Sequence, residues 1–268
     1  MTHFICKTCG TQFADTETAP AHCPICEDER QYIGWQGQQW TTLADLQADH
    51  HNIIKTEEPD LTGIGTQPGF AIGQRALLVQ TPEGNLLWDC ISLIDEATVT
   101  AVHALGGIRA VAISHPHFYS SMIEWSRAFA VPIYLHAADR QWVMRPDAAV
   151  EFWDGATKPL WSGMTLIRGG GHFEGSTVLH WPAGADGKGV LLTGDTLQVV
   201  SDRRYVSFMY SYPNLVPLPA RVVRRIVAAV EPYAYDRIYS GWWDRVVVAE
   251  AKTAVSRSAD RYIQALQD

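Results

Sequence analysis

ISHPHFYS, residues 113–120, is the stretch that decides the fold prediction. The apolar run that begins at Ile108 predicts a buried strand, and the loop after it carries His115 and His117. Side chains two residues apart in an extended segment point the same way, so both imidazoles can reach one ion. We therefore expect half of a metal site at the end of this strand.

The other half of the expected site lies at the ends of two later strands. His172 follows three glycines after the predicted strand 164–167, and Asp195 follows the predicted strand 190–192. Imidazoles and carboxylates are ligands that zinc and similar divalent metals use, and short loops on a rigid scaffold commonly carry such sites. We predict one metal held by three histidines, with Asp195 as the fourth ligand or as a group that orients a ligand.

This order of residues resembles the metallo-β-lactamase superfamily over residues 60–268, with intervals of 55 residues from His117 to His172 and 23 from His172 to Asp195. The resemblance implies an α/β (α+β) fold, specifically an αββα sandwich. It also implies that His115, His117 and His172 form the family's first metal site, and that Asp195 occupies the position that bridges to a second metal.

The second metal site is degenerate in this chain. Where the family signature His-x-His-x-Asp-His has its Asp and last His, this sequence has Tyr119 and Ser120. A late histidine should follow the last strand, but the chain has SGW at residues 240–242 and no histidine after His180. We therefore expect a single metal. Tyr119 is predicted either to donate a hydrogen bond to a developing oxyanion or only to fill the vacant volume.

The N-terminal segment carries a second, independent metal pattern. Four of the five cysteines form two Cys-x-x-Cys pairs that are separated by 13 residues: Cys6, Cys9, Cys23 and Cys26. This spacing predicts a zinc ribbon with four thiolate ligands. Two disulfides are the alternative, which is disfavoured because the N-terminus has no secretion signal.

The chain divides on sequence into three parts. Residues 1–33 form the predicted ribbon, residues 34–69 a linker with a short helix at 41–51 and a loop at 55–69, and residues 70–268 the metallo-β-lactamase-like domain. Within the main domain, the pattern predicts a hairpin over 76–88 and helices at 95–105, 121–130, 219–231 and 244–266.

Composition limits the classes of function. The formal net charge is −8, and the ribbon carries two basic against five acidic residues, so a nucleic-acid partner is not expected. No apolar run reaches the ~20 residues of a membrane span. We expect a cytoplasmic protein that binds a small-molecule substrate, with a homo-oligomer left open.

Three hypotheses about function follow from these residues. The first is a mononuclear metal-dependent hydrolase that uses metal-bound hydroxide on an ester, lactone, thioester or amide, with Asp195 and Tyr119 as catalytic residues. The second is an iron oxygenase similar to persulfide dioxygenases, whose two-histidine, one-aspartate set matches His115, His172 and Asp195. The third is a non-catalytic regulatory protein. The cofactors expected are one zinc in the ribbon and one zinc or iron in the main site.

Overall fold

The computed structural model describes residues 1–267, so the last residue of the predicted domain 70–268 lies outside the described part. The first half of the chain contains nine strands and four helices: β1 (Phe4–Cys6), α1 (Pro24–Glu27), β2 (Trp40–Thr42), α2 (Leu43–Asp49), β3 (His51–Glu58), β4 (Leu61–Gln67), β5 (Arg75–Val79), β6 (Leu86–Trp88), α3 (Glu96–Ala104), β7 (Ala110–Ala112), α4 (Met122–Phe129), β8 (Ile133–His136) and β9 (Val150–Trp153).

The second half contains ten strands and three helices: β10 (Thr157–Pro159), β11 (Thr165–Arg168), β12 (Thr177–Trp181), α5 (Gly184–Gly187), β13 (Val190–Leu192), β14 (Gln198–Val199), β15 (Val206–Ser207), β16 (Met209–Ser211), β17 (Val216–Pro217), α6 (Ala220–Val230), β18 (Arg237–Tyr239), β19 (Val246–Val247) and α7 (Ala251–Ala265). Short 3-10 turns lie at Pro116–Phe118, Ala137–Trp142 and Trp161–Gly163. No helix among residues 1–267 is both long enough and apolar enough to cross a bilayer.

Two large sheets form the centre of the molecule. One has seven strands in chain order from β3 to β9, and the other has six in the order β10-β11-β12-β13-β18-β19. In the first sheet β3 to β6 pair antiparallel and β6 to β9 pair parallel. The loops that carry the predicted metal ligands follow strands of both sheets, so the two sheets together position them.

The strands of both sheets are apolar on both faces, so each sheet packs against the other sheet on one face and against helices on the other. Leu77 packs between the two sheets, whereas its neighbour Leu78 packs against the layer that contains α3 and α4. On the second sheet Leu179 faces the space between the sheets and Val178 faces α6 and α7. Because successive side chains of a strand point to opposite faces, each strand contributes to two cores. The predicted αββα sandwich is confirmed.

The predicted linker is wrong over residues 51–67. These residues form β3 and β4, which extend the first sheet, rather than a loop. The glycines that suggested a loop are required in the strand: a Cβ at Gly63 or Gly65 would lie 2.8 Å from the ring of Trp243. β3 is a polar edge strand, and therefore lacks a strong apolar signal.

Two other boundaries differ from the prediction. The short helix expected at 41–51 is present as α2 and begins with a capping box, in which Thr42 and Asp45 exchange hydrogen bonds. The helix expected at 244–266 begins only at Ala251, because Val246 and Val247 form the edge strand β19. The ribbon extends past residue 33, since β1 pairs with β2 at residues 40–42.

Candidate metal centres

The loop after β7 is held in an extended path by a buried aspartate. Asp89, which follows the neighbouring strand β6, donates its backbone N–H to the carbonyl of Ala112 and accepts a 2.7 Å hydrogen bond from the Ser114 N–H through Oδ1. His115 is then fully extended, and Pro116 begins a 3-10 turn. The side chains of His115 and His117 therefore both project into one space at the end of the sheet.

Glycines permit the close approach of the other two loops. Gly194 has φ +49°, and a Cβ there would lie 2.4 Å from Ser114 Oγ. Gly171 has φ +93°, and a Cβ there would lie 2.9 Å from both Ile226 and Leu218. Any larger side chain would push the loop that carries Asp195, or the loop that carries His172, away from the site.

The four predicted ligands converge. One ligand atom from each of His115, His117, His172 and Asp195 lies within 4.8 Å of the others. His172 Nε2 is 3.1 Å from His117 Nδ1, and Asp195 Oδ2 is 3.6 Å from the Nε2 atoms of both His115 and His172. Around a tetrahedral zinc with Zn–N of about 2.1 Å, ligand atoms are about 3.4 Å apart. The separations fit one divalent ion at the centre of the cluster.

Neighbouring groups fix the orientation of two imidazoles. The Nδ1–H of His172 donates to the carbonyl of Tyr210 at 2.8 Å, which leaves the Nε2 lone pair directed into the cluster. His115 Nδ1 forms a 2.8 Å hydrogen bond with Ser114 Oγ, so its Nε2 likewise faces the cluster. The backbone carbonyl of Asp195 accepts from the Tyr212 hydroxyl at 3.0 Å.

The site is buried, and burial shifts the pKa of every ligand toward its neutral form. His115, His117, His172 and Asp195 are only 1–5% exposed as whole residues. Burial lowers the pKa of His115 to about 3 and that of His172 to about 4, where a second contribution comes from His115. Burial raises the pKa of Asp195 to about 6, against the attraction of His172. Neutral imidazoles are the form that binds metals.

Two buried polar atoms of the cluster have no partner within residues 1–267, which suits a site for a cation. Among the described residues, His115 Nε2 and Asp195 Oδ1 are buried and have no hydrogen-bond partner. Buried polar atoms without partners are costly and therefore rare. A divalent cation would satisfy His115 Nε2 directly and would offset the burial of the Asp195 charge. The donor set fits a metal.

The region of the second metal is occupied by other groups. Ser120 accepts a hydrogen bond from Gln74 and donates one to the carbonyl of Cys90. The ring centre of Phe118 lies 4.8 Å from that of His115. A Cβ at Gly241 would come within 2.4 Å of the Phe118 ring. No second group of three or more possible ligands adjoins the histidine cluster within residues 1–267.

Tyr119 lies away from the cluster. It packs in the core between the first sheet and α3 and α4, and it lines a small cavity with Gln12 and Arg145. Burial raises the pKa of its hydroxyl well above the ordinary value. This position favours the interpretation in which Tyr119 fills volume over the one in which it donates to an oxyanion.

The four ribbon cysteines also converge. Cys6 Sγ lies 3.6 Å from Cys26 Sγ, and Cys9 Sγ lies 3.8 Å from Cys23 Sγ, with all four within 4.8 Å. A tetrahedral zinc with Zn–S of about 2.3 Å separates its sulfurs by about 3.8 Å. Thiol hydrogen bonds, from Cys23 first, lower the pKa of Cys6. All four are free thiols rather than the alternative disulfides.

The whole length of the chain aligns with a curated relative. The uncharacterized protein YmaE of Bacillus subtilis (strain 168) is 51% identical over an alignment of 268 positions, which covers 99% of this chain and 97% of that protein. The chain belongs to the YmaE family. No protein-family model matches it.

Several solved structures share the fold of this chain. DIM-1 metallo-β-lactamase aligns with a TM-score of 0.59 at 13% identity, over 81% of this chain and 98% of that one. FIM-1 metallo-β-lactamase from Pseudomonas aeruginosa, in its mono-zinc form, aligns with a TM-score of 0.58 at 13% identity, over 78% and 95%. The YmaE-type chain therefore has the metallo-β-lactamase fold, with a four-cysteine site that fits a zinc ribbon at its N-terminus.

The sequence does not reveal which residues orient the ligands. Asp89 follows an apolar strand, as every predicted ligand does, so its position is the available signal. Tyr210 holds His172 through a backbone carbonyl, which no side-chain pattern can indicate. Arg30, from the ribbon, lies over the rings of Phe173 and Tyr210 beside the His/Asp cluster. The ribbon reaches this cluster only through tertiary packing, which a local sequence pattern does not indicate.

Proposed function

We propose that this protein is a mononuclear metal-dependent hydrolase that acts on a small-molecule ester, lactone, thioester or amide. The observation that carries the proposal is the set of imidazole nitrogens directed at the Asp195 carboxylate, whose Oδ2 lies 3.6 Å from two of them and whose Oδ1 is buried without a hydrogen-bond partner in the described chain. A divalent metal bound there would lower the pKa of water to about 7 and so supply hydroxide at neutral pH.

The chain's own residues have separable tasks in this proposal. His115, His117 and His172 would hold the metal, and the tautomers of His115 and His172 would be set by Ser114 and by the Tyr210 carbonyl. Asp195 would accept a hydrogen bond through Oδ1, the carboxylate oxygen that has no partner among the described residues. The Tyr212 hydroxyl would hold the backbone of Asp195 in place.

The fold of the neighbours supports a hydrolase but does not give the substrate. FIM-1 has a mono-zinc form, which is a precedent for one metal on this scaffold. The experiment is to load the protein with one zinc equivalent at the main site and assay a panel of esters, lactones, thioesters and amides. His172→Ala should lose all turnover. His180→Gln is the matched control, because His180 bonds the Ala234 carbonyl outside the site, and it should retain turnover.

One observation favours a second candidate, the iron oxygenase. His115, His172 and Asp195 supply the two imidazoles and one carboxylate of a facial triad, and each Nε2 lies 3.6 Å from Asp195 Oδ2. Iron in protein purified without added metal, together with oxygen uptake, would support this candidate. Zinc-loaded protein that turns over no member of the panel would overturn the hydrolase proposal.

A further inference from the structure

The end of the ribbon docks on the segment that holds the main metal centre. Three consecutive ribbon residues, Glu29, Arg30 and Gln31, contact residues 210–214. The Tyr210 hydroxyl donates to Glu29 Oε1 at 2.7 Å, and the Ser211 hydroxyl donates to the Arg30 carbonyl at 3.0 Å. This contact therefore connects the segment that follows the four-cysteine cluster to the segment that holds the His/Asp cluster.

A single amide reinforces the contact twice. Asn214 donates through Nδ2 to the carbonyl of Glu29 at 3.0 Å and to the carbonyl of Gln31 at 2.9 Å. Both acceptors lie close in sequence to Cys26, the last ligand of the ribbon. The position of residues 29–31 thus depends on the fold that the four cysteines close.

Arg30 completes the contact by lying over one ring from the His172 loop and one ring from residues 210–214. Its guanidinium lies 4.5 Å from the ring centre of Phe173 and 4.6 Å from that of Tyr210. Asp28 accepts a 2.8 Å hydrogen bond from Nη1 and holds the side chain in this orientation. Phe173 follows His172 directly and lies edge-on to the rings of both His117 and His172.

The segment 210–214 in turn fixes two ligands. The Tyr210 carbonyl accepts the Nδ1–H of His172, and the Tyr212 hydroxyl donates to the carbonyl of Asp195. A displacement of Tyr210 would therefore rotate the imidazole of His172 and loosen the loop of Asp195. Orienting partners of this kind typically change metal affinity 10- to 100-fold when they are lost, as an order of magnitude.

We propose that ribbon residues Glu29, Arg30 and Gln31 are positioning residues for the main metal centre, so that the ribbon metal and the His/Asp metal bind cooperatively. The physical path runs from Cys26 through residues 29–31 to Tyr210 and His172. Coupling between two sites is reciprocal, so each metal tightens the binding of the other by the same factor. The proposal concerns the metal site on which the proposed function rests, but it does not depend on turnover.

The test uses the full-length protein with its cysteines intact. In Arg30→Met combined with Asn214→Ala, the ribbon keeps its four ligands but loses the cation over Phe173 and Tyr210 and both hydrogen bonds from Asn214. Zinc affinity of the main site is measured by competition with a chromophoric chelator. We expect it to fall about tenfold, within the usual range of coupling between sites. His22→Gln, a change at an exposed ribbon residue whose side chain hydrogen-bonds Glu27, is the matched control and should leave the affinity unchanged.

Two further measurements separate positioning from general loosening. The Nδ1–H proton of His172 should give a hydrogen-bonded imidazole NMR signal in zinc-loaded wild type, which shifts or broadens in the double variant and stays unchanged in His22→Gln. Arg30→Lys with Asn214 intact keeps a cation over both rings and should restore most of the affinity.

A zinc affinity of the main site within twofold of wild type in the double variant would overturn the coupling. So would a double variant whose ribbon holds one full metal equivalent and whose His172 Nδ1–H signal does not shift. Because no substrate is involved, failure of the hydrolase assay leaves this result interpretable. Conversely, turnover with unchanged metal affinity would remove the coupling and leave the proposed function standing.

Discussion

The four-cysteine site and the His/Asp site both place four side-chain ligands within 4.8 Å, yet different forces hold them together. The cysteines lie within 21 consecutive residues, and the small cluster around them contains few other apolar side chains, chiefly Phe13 and Ile25. The His/Asp ligands span residues 115–195 and lie at the ends of strands in a sandwich with two large cores. We therefore expect the ribbon to fold only with its metal, whereas the sandwich brings the main-site ligands together in advance and the ribbon contact only tightens their orientation.

The largest effect should come from Cys9→Ser. Losing one thiolate removes the ribbon metal, whose binding free energy in small zinc domains is of order 10 kcal/mol and is the free energy of folding itself. We expect one metal equivalent fewer per chain and rapid proteolysis within residues 1–33. Metal analysis and limited proteolysis measure both. A ribbon that resists protease without its metal would remove the contrast between the sites.

His172→Ala should remove the main-site metal but leave the sandwich folded. With excess zinc followed by desalting, wild type should hold two equivalents and the variant one. The lost hydrogen bond to Tyr210 should lower the free energy of unfolding by about 1–3 kcal/mol. Three equivalents in wild type would contradict a single metal in the main site.

A pH titration should affect the main site through one carboxylate. In Cys9→Ser, which isolates that site, zinc affinity should fall about tenfold for each pH unit below about 6, because Asp195 must be ionised while His115 and His172 are already neutral. In metal-free protein, Asp195 makes the free energy of unfolding depend on pH in the opposite direction to zinc affinity. Its raised pKa stabilises the folded state at low pH, and this contribution is lost as pH rises through about 6.

Equilibrium dialysis from about pH 7.5 to about pH 5 measures the effect on zinc binding. Asp195→Asn should bind zinc more weakly at neutral pH and should lose the step near pH 6. A step that persists in Asp195→Asn would assign the proton to another group, with Asp89, whose pKa burial raises to about 7, as the nearest candidate.

Tyr119→Phe should have the smallest effect. The ring stays in the core behind the site, so metal content should not change and the free energy of unfolding should move by about 1 kcal/mol or less. If the protein is a hydrolase, this variant should retain at least a tenth of wild-type turnover, whereas His172→Ala should retain none. Equal and complete loss in both, with metal retained in Tyr119→Phe, would give Tyr119 a chemical role.

The two sites also differ in how far sequence predicts them. Two Cys-x-x-Cys pairs specify the ribbon site locally, and this spacing predicts all four ligands. The four main-site ligands are predictable as well, because each follows an apolar strand. The groups that orient them are not, since the Tyr210 carbonyl lies 38 positions from His172 and the stacking of Arg30 on Tyr210 joins the ribbon to a distant part of the chain.

The fold is predictable where strands are apolar and obscure where packing overrides local signals. Hairpin β5–β6 and strands β11 and β13 lie within one residue of where the pattern places them. The sequence of β4 indicates a loop because Gly63 and Gly65 are turn formers, and only the ring of Trp243 across the sheet explains why a strand needs glycine there.

Hydrogen–deuterium exchange of the fully chelated protein tests the contrast between the two sites most directly. If the ribbon folds only around its metal while the sandwich builds the main site in advance, amides of residues 1–33 should exchange as in an unfolded chain. Amides of strands β7, β12 and β13 beside the main-site loops should stay protected by several orders of magnitude. A ribbon that stays protected without metal, or sandwich strands that exchange as fast as the ribbon, would contradict this account.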